Sequence, residues 1–139
     1  MTDTRFDPFA TLIDRQAAQS VLEETTRGAE DGELFLERRR SEALVFDDGR
    51  IRTASYDAAE GFGLPAVSGE VAGYAHSTEI SESALRRAAR TTRLAVGTGG
   101  GGVMAPPPPG TNRRLYTEAD PMLDAAFGIK VETLREIDA

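Results

Sequence analysis

The chain has 139 residues, a formal net charge of −7 and no cysteine or tryptophan. This length is typical of a single domain whose core is built from aliphatic residues and phenylalanine. Without cysteine, a disulfide scaffold and a thiolate metal site are excluded, and the acidic balance disfavours nucleic acid and membrane surfaces as partners. No stretch approaches the ~20 apolar residues that span a bilayer, and the N-terminus lacks the pattern of a signal peptide. We therefore expect a cytoplasmic protein.

The first predicted element is a helix of about twenty residues that begins near Asp7, because Asp7 can cap the free amides and Pro8 suits the first helical position. Gly28 is a natural stop for this helix. Its apolar residues recur at helical spacing and form one stripe, which we expect to lie on a sheet: Phe9, Leu12, Ile13, Ala17, Val21 and Leu22.

Residues 33–77 predict that sheet. The runs ELFLERR and EALVF are typical of short strands, and Asp48-Gly49 predicts a type I′ turn into a third strand, RIRTASY. A two-residue loop there places two pairs opposite each other: Phe46 with Ile51, and Leu44 with Thr53. The dense basic run ERRR, at residues 37–40, adjoins acidic residues and is typical of a solvated strand edge, so DNA binding is disfavoured.

The stretch GFGLPAVSGEVAGYAHS, residues 61–77, contains four glycines. A dinucleotide-binding loop needs its glycines just before a helix, whereas here strand-like sequence follows them. We predict a hairpin with Ser68-Gly69 as its loop. This register places the ring of Tyr74 over the backbone of Gly63. It gives four cross-strand pairs: Val67 with Glu70, Ala66 with Val71, Leu64 with Gly73, and Gly63 with Tyr74.

A second helix is predicted from Ser81 to about Val96, because ALRRAARTTRLAV is rich in helix formers. Ser81 is a suitable N-cap. Ile80 and Leu85 have the spacing of a hydrophobic staple across the start of this helix.

The Gly- and Pro-rich segment GTGGGGVMAPPPPGTNRR, residues 97–114, is predicted to be a linker or mobile loop, and the alternative is a polyproline ligand for an aromatic groove. Residues 115–139 begin irregularly and then predict a helix with apolar positions Ile129, Val131, Leu134 and Ile137. We expect the sequence to stop in mid-element there. The predicted organisation is a domain over residues 1–96, a linker over 97–114 and a connecting segment over 115–139.

The residues that carry chemistry are sparse. His76 is the one histidine, so neither a zinc site nor a Ser-His-Asp triad has the residues it needs, and a structural or surface role is favoured. The G-x-x-x-x-G-K-[ST] sequence of a P-loop is absent. The paired acidic residues lie in predicted turns or at a helix end. We therefore predict no catalytic, cofactor-binding or metal-binding residue in this chain.

The run from Asp31 to Val96 resembles the N-terminal domain of the TldD/PmbA family, zinc metalloproteases once described as modulators of DNA gyrase. The resemblance rests on the order of motifs: a strand, a hairpin with an acidic turn, G-x-G-(apolar)-x-A-V-x-G-x-x-x-G-(aromatic)-A, and EIS before a helix. It is closer to the TldD branch than to PmbA. The later LYTEADPM and KVETLREIDA are similar to the segment that leads out of that domain.

The resemblance implies a longer protein. TldD-type members carry a zinc-binding H-E-x-x-x-H helix after this domain, and they act with a PmbA-type partner subunit on unfolded or short peptides, including ribosomally made precursor peptides. None of those zinc ligands is in this chain, so zinc is expected in a C-terminal domain beyond it. The chain would then be a non-catalytic N-terminal domain that shapes the substrate enclosure and contacts the other subunit.

One residue departs from the family pattern. Where the family commonly has arginine after G-x-G-(apolar), this chain has Pro65. Because proline in a sheet belongs at an edge or a bulge, either this strand is an edge or the hairpin is locally broken. Any role of that arginine in binding a peptide carboxylate or a partner is put in doubt.

The predicted fold is α+β: a mostly antiparallel, twisted sheet of about five strands with two helices packed on one face. Strand order stays open, because the connections at 28–33 and 56–61 allow more than one pairing.

Two functions remain open as well. The first is the non-catalytic domain of a metallopeptidase; the second is a stand-alone module that binds an extended peptide or protein segment through an exposed strand edge. Binding to DNA or gyrase ranks third because the chain is acidic.

Overall fold

The computed structural model of the chain describes residues 6–97 and 120–139. Over these residues the order is α1 (Pro8–Thr11), α2 (Arg15–Thr26), β1 (Asp31–Gly32), β2 (Phe35–Asp47), β3 (Arg50–Ser68), β4 (Val71–Ser77), α3 (Glu82–Val96) and α4 (Phe127–Asp138). The α+β class is confirmed, and the described strands form one antiparallel sheet of four rather than about five. The number is lower because β2 and β3 each run unbroken through places where the sequence predicts a gap.

The strand order is settled by β3, which pairs with each of the other three strands. The described residues fall into two compact units: unit one, residues 39–59 and 120–139, and unit two, residues 6–38 and 60–97. The predicted linker and its polyproline alternative lie outside the described residues, apart from Gly97 at the end of α3. The predicted domain boundaries stay predictions.

The N-terminal helical region of unit two is two helices, so the prediction of one long helix is wrong. α1 ends at Thr11, and Asp14 starts α2 by accepting a hydrogen bond from the amide of Ala17 at 2.8 Å. Asp7 caps α1 as predicted. The second cap lets the chain turn at Ile13, whose side chain is buried. Of the predicted stripe, Ile13 and Val21 are buried and Phe9 and Leu22 pack against the core, whereas Leu12 is exposed. α2 also buries Ala18 and Thr25.

The helix α3 forms where the sequence predicts it. The hydroxyl of Ser81 accepts a hydrogen bond from the amide of Ala84 at 3.1 Å, and the staple residues Ile80 and Leu85 are both buried. Gly97, at a φ of 76°, ends the helix by donating its amide to the carbonyl of Arg93.

Unit two is built around one hydrophobic core. Phe62, Leu64 and Ala66 are buried on one face of β3, as the hairpin pattern predicts. Most of the remaining core comes from the helical segments: Ile13, Ala18, Val21, Ile80, Ala84, Leu85, Ala88 and Ala89. The fully buried hydroxyl of Thr92 donates to the carbonyl oxygen of Leu64 at 2.8 Å, which joins α3 directly to β3.

The register of the β3–β4 hairpin differs from the prediction. The loop is Gly69 and Glu70, and the strands pair Ser68 with Val71. Of these two loop residues only Gly69, at a φ of 61°, has positive φ, and a type II′ turn requires glycine at its first central position. The predicted loop started one residue too early, so all four predicted pairs are wrong. The observed pairs include Ala66 with Gly73, Leu64 with Ala75, Pro65 with Tyr74, and Gly63 with His76.

Two glycines of the stretch contact neighbours other than those predicted. A methyl group at Gly63 would overlap the ring of Phe35, so Phe35 rather than Tyr74 lies over this glycine. At Gly73 a methyl group would lie 2.6 Å from the carbonyl oxygen of Thr92 and 2.8 Å from Val96. Gly73 therefore allows β4 to pack closely on α3, and it does not pair with Leu64 as predicted.

Pro65 lies in the continuous central strand β3, so neither predicted explanation, an edge strand or a broken hairpin, is correct. Its carbonyl accepts from the amide of Glu33 at 3.2 Å, but proline has no amide to donate back. The neighbouring ladder stops at this point, since β1 ends at Gly32 and β2 starts at Phe35. Pro65 thus interrupts the adjacent strand and leaves its own strand intact.

Unit one combines the hairpin end of β2 and β3 with α4. The type I′ turn is confirmed, because Asp48 and Gly49 both have positive φ, 51° and 72°. Lys130 on α4 donates to a carboxylate oxygen of Glu42 at 2.7 Å and to the carbonyl of Met122 at 2.9 Å. Arg40 forms a salt bridge with Asp120 in this unit. The backbone amides of Gly49 and Met122 donate hydrogen bonds to the carboxylates of Asp138 and Asp120, respectively.

Candidate functional site

The outer side of β4 is an edge of the sheet in the part of the chain that the structure describes, where β4 pairs only with β3. Ser68 and Val71 close the turn as a hydrogen-bonded pair, and such pairs alternate along an antiparallel ladder. The backbone amides and carbonyls of Ala72, Tyr74 and His76 therefore face away from β3. An unpaired edge of this kind can accept the main chain of one further strand.

α3 extends beneath this edge. Close packing at Gly73 brings the helix against β4, and the small side chains of Ala84 and Ala88 face the strand. A groove of about 370 Å³ lies between the strand edge and the helix, and residues of both elements line it: Tyr74, Ala75, His76, Ser77, Ala84, Arg87, Ala88 and Thr91. A further strand placed beside β4 would therefore pack against α3.

Two aromatic side chains stand on the face of β4 opposite α3. The rings of Tyr74 and His76 stack with centroids 5.6 Å apart and an interplanar angle of 28°. Both side chains are exposed, Tyr74 by 55%. The surface role predicted for His76 agrees with this position, and the rings give a side chain on an adjacent strand an apolar contact surface.

The polar end of the groove lies at the start of α3. Glu79 accepts a hydrogen bond from the hydroxyl of Ser81 at 2.5 Å and forms an ion pair with Arg87 at 3.0 Å. The hydrogen bond from Ser81, followed by the positive charge of Arg87, lowers the pKa of the Glu79 carboxyl. This carboxylate is therefore ionised at neutral pH and keeps Arg87 in place beside the groove.

The described residues do not offer a zinc site. Across residues 6–97 and 120–139, no three histidine, aspartate or glutamate side chains are grouped as metal ligands. His76 has Tyr74 as its stacking neighbour. None of the helices in these ranges combines the length and apolar character needed to cross a membrane.

A family model matches just under half of the chain. Residues 32–95 match the family model described as PmbA/TldA metallopeptidase domain 1. Over these residues the chain is similar to the first domain of that family. The match covers β2, β3, β4 and nearly all of α3, so the groove beside β4 lies within the matched stretch.

Two curated relatives carry the name of the TldD branch. The metalloprotease TldD homolog of Buchnera aphidicola subsp. Acyrthosiphon pisum (strain APS) is 28% identical over 114 residues, which cover 81% of this chain and 24% of the relative. The TldD homolog of the Schizaphis graminum strain is 30% identical over 82 residues, which cover 58% of this chain and 17% of the relative. The chain thus spans at most about a quarter of the length of these relatives.

The sequence predicted an exposed strand edge without assigning it to β4, and it did not predict the groove beside that edge. The stretch around Tyr74 and His76 was correctly read as a strand, and α3 was correctly placed after it. The contribution of Arg87 and Thr91 was missed because it depends on how α3 crosses the strand. The available signal was small residues on both elements, Gly73 on β4 and the alanines of α3, which indicates close approach of a helix to a sheet edge.

Proposed function

We propose that this chain is the non-catalytic first domain of a TldD-type metalloprotease that, together with a PmbA-type partner subunit, cleaves unfolded or short peptides. The observation that carries the proposal is the family match over residues 32–95, supported by relatives named as TldD metalloproteases. A cysteine-free chain suits the reducing cytoplasm, where we place the protein.

In this proposal the zinc and the chemistry belong to a part of the protein beyond the chain. The chain has one histidine and no cysteine, and the matched relatives are several-fold longer. A catalytic zinc typically needs three protein ligands, which the described residues do not bring together. The domain's own contribution is to hold substrate and to contact neighbouring protein.

The exposed apolar side chains of unit one support a role in protein contact. Several large hydrophobic residues there are between 38% and 76% exposed: Val45, Ile51, Tyr56, Leu123, Phe127, Ile129 and Ile137. Tyr56, Leu123 and Phe127 line one cavity of this unit, and contiguous exposed apolar surface commonly marks an interaction surface. In the proposal this unit contacts the rest of the protease or its partner subunit.

The first prediction concerns zinc. The purified 139-residue chain, incubated with zinc and then dialysed, should retain no stoichiometric metal by mass spectrometry and should leave an unfolded peptide uncut, because the metal ligands lie elsewhere. Stoichiometric zinc together with peptide cleavage by the isolated chain would overturn the non-catalytic assignment.

A second candidate function is favoured by the edge of β4. Three alternate residues of β4, Ala72, Tyr74 and His76, present their backbone groups outward beside the groove formed with α3. β4 contains no proline, lysine, arginine, aspartate or glutamate, which are residues that sheet edges commonly use to block further pairing. The edge is thus suited to bind an extended peptide by strand addition, whether the domain works alone or within the protease.

The second prediction tests this edge with His76→Pro. Proline removes the outward amide of His76 but costs no hydrogen bond to β3, and an edge strand tolerates it there. We expect binding of a labelled hexapeptide rich in threonine and valine to weaken several-fold, as for the loss of one hydrogen bond. The matched control, His76→Ala, keeps the amide and separates the backbone contribution from that of the ring.

Fluorescence anisotropy measures the binding, and urea unfolding confirms that both variants fold. Equal peptide affinity of His76→Pro and His76→Ala would contradict strand addition at this edge. That result would leave the family proposal untouched, because the zinc measurement does not depend on β4.

A further inference from the structure

A second concave site of unit two lies at the C-terminal ends of α2 and α3. A cavity of about 510 Å³ is lined there by charged and apolar side chains, chiefly Arg27, Arg90, Arg93, Leu94 and Val96. It lies at the opposite ends of the helices from their caps Asp14 and Ser81. The cavity therefore differs from the β4 groove in both position and chemistry.

The charges of this cavity are not balanced. Arg93 pairs with Glu24 at 2.9 Å, whereas Arg27 and Arg90 form no ion pair or hydrogen bond within residues 6–97 and 120–139. Most other cationic side chains in these ranges do have a carboxylate partner: Arg38, Arg40, Arg50, Arg52, Arg86, Arg87, Lys130 and Arg135. On a chain of net charge −7, two unpaired arginines in one cavity are a local exception.

The helix dipoles account for part of this arrangement. Cations near the C-terminal end of a helix are stabilised by the partial negative charge of its last carbonyls. That effect applies to Arg27 at the C-cap of α2 and to Arg93 in the last turn of α3, whereas Arg90 lies further from the helix end. Within the described residues the exposed guanidinium groups of Arg27 and Arg90 have no protein acceptor. A guanidinium group presents its donors in a planar fork that matches a carboxylate or a phosphate.

The apolar wall of the cavity narrows the class of ligand. Leu94 is 85% exposed, and Val96 lines the same cavity. A free inorganic anion would leave this wall in contact with water, whereas an anionic group attached to an apolar body would cover it. The lining therefore combines charge recognition on one side with hydrophobic contact on the other.

We propose that this cavity binds a carboxylate or phosphate group carried on an apolar body, with Arg27 and Arg90 binding the anion and Leu94 and Val96 contacting the apolar part. The site involves neither zinc nor the β4 edge. A test of this site is therefore independent of a test of the proposed protease function. Arg93 also lines the cavity, but its charge is balanced by Glu24.

The test is a titration of the full 139-residue chain with ligand at low salt. Binding is detected by calorimetry or by changes in amide chemical shifts. The probes are an N-acetylated leucine peptide with a free carboxylate, the same peptide with a C-terminal amide, and phenyl phosphate. Saturable binding of the free acid but not of the amide identifies a carboxylate ligand. Saturable binding of phenyl phosphate alone identifies a phosphate ligand.

The matched variants are the double substitution Arg27→Gln/Arg90→Gln and the control Arg86→Gln, which removes an arginine of α3 that already pairs with Glu82. We expect the double variant to lose at least about tenfold in affinity, because it removes charge-assisted hydrogen bonds, and the control to bind as the unchanged chain does. Urea unfolding checks that both fold. Absence of saturable binding by every probe, or equal affinity of the double variant and the control, would overturn the site.

Discussion

Gly73 shows how a single residue positions the candidate site. Its missing side chain lets β4 approach α3 so closely that an added methyl group would lie 2.6 Å from the carbonyl oxygen of Thr92. The sequence predicted Leu64 as the partner of this glycine, whereas the observed partner is Ala66 and the close contact is with α3. It could not identify the neighbour, because α3 lies far along the chain and only the folded arrangement brings it there.

The third prediction is that Gly73→Ala destabilises unit two. The new methyl group meets backbone atoms of α3, which cannot rotate aside, so we expect a loss of about 1–3 kcal/mol in the free energy of unfolding. Gly128→Ala on α4 is the control, since no atom lies within 4 Å of a methyl group there. In a helix this control should stabilise by up to about 1 kcal/mol. Urea unfolding measures both, and an unchanged midpoint for Gly73→Ala would contradict the close contact.

Pro65 was recognised in the sequence as unusual for a strand, but its structural consequence was not predicted. Proline signalled a missing hydrogen-bond donor, but the sequence did not say which neighbour would lose it. In the fold that neighbour is Glu33, between β1 and β2. The strand containing Pro65 is held by its pairing with β4 and by the buried side chains on either side of it, Leu64 and Ala66.

At the scale of elements, the helices and turns followed local chemistry most closely. α3 has its predicted start at Ser81, and the Asp48-Gly49 turn has its predicted type. The β3–β4 register failed because Ser68-Gly69 and Gly69-Glu70 are both plausible two-residue loops in a sequence. Shifting the loop by one residue changes every facing pair, so a small local ambiguity altered the predicted neighbours of Gly63 and Gly73.

The break between α1 and α2 is the other element that sequence periodicity missed. Apolar spacing continues across residues 11–14, so a single helix fits the pattern as well as two. The deciding interaction is a capping hydrogen bond from Ala17 to Asp14, which only a local turn can form.

The fourth prediction tests that cap. Asp14→Ala should lower the free energy of unfolding by about 1 kcal/mol, because the first amides of α2 lose their acceptor, whereas Asp14→Asn should retain most of it. Thermal unfolding followed by circular dichroism compares the two variants. A similar loss in both, or none in either, would show that Asp14 does not act as a cap.

At the scale of the whole molecule, the order of motifs carried more information than any single one. Each glycine, turn or helix start is common, but their sequence along residues 31–96 resembled one family, and the family model matches residues 32–95. The grooves were beyond the sequence, since each is formed by residues from two elements. Unit one likewise gave little signal, because its tie from Lys130 to Glu42 joins positions far apart in the chain.

The fifth prediction concerns the central claim, that this chain is the first domain of a longer TldD-type metalloprotease. The most direct measurement is the nucleotide sequence that follows the codon for Ala139 in the native gene. We expect an open reading frame that continues in register and encodes an H-E-x-x-x-H motif. A stop codon directly after Ala139 would contradict it and would favour the stand-alone binding module.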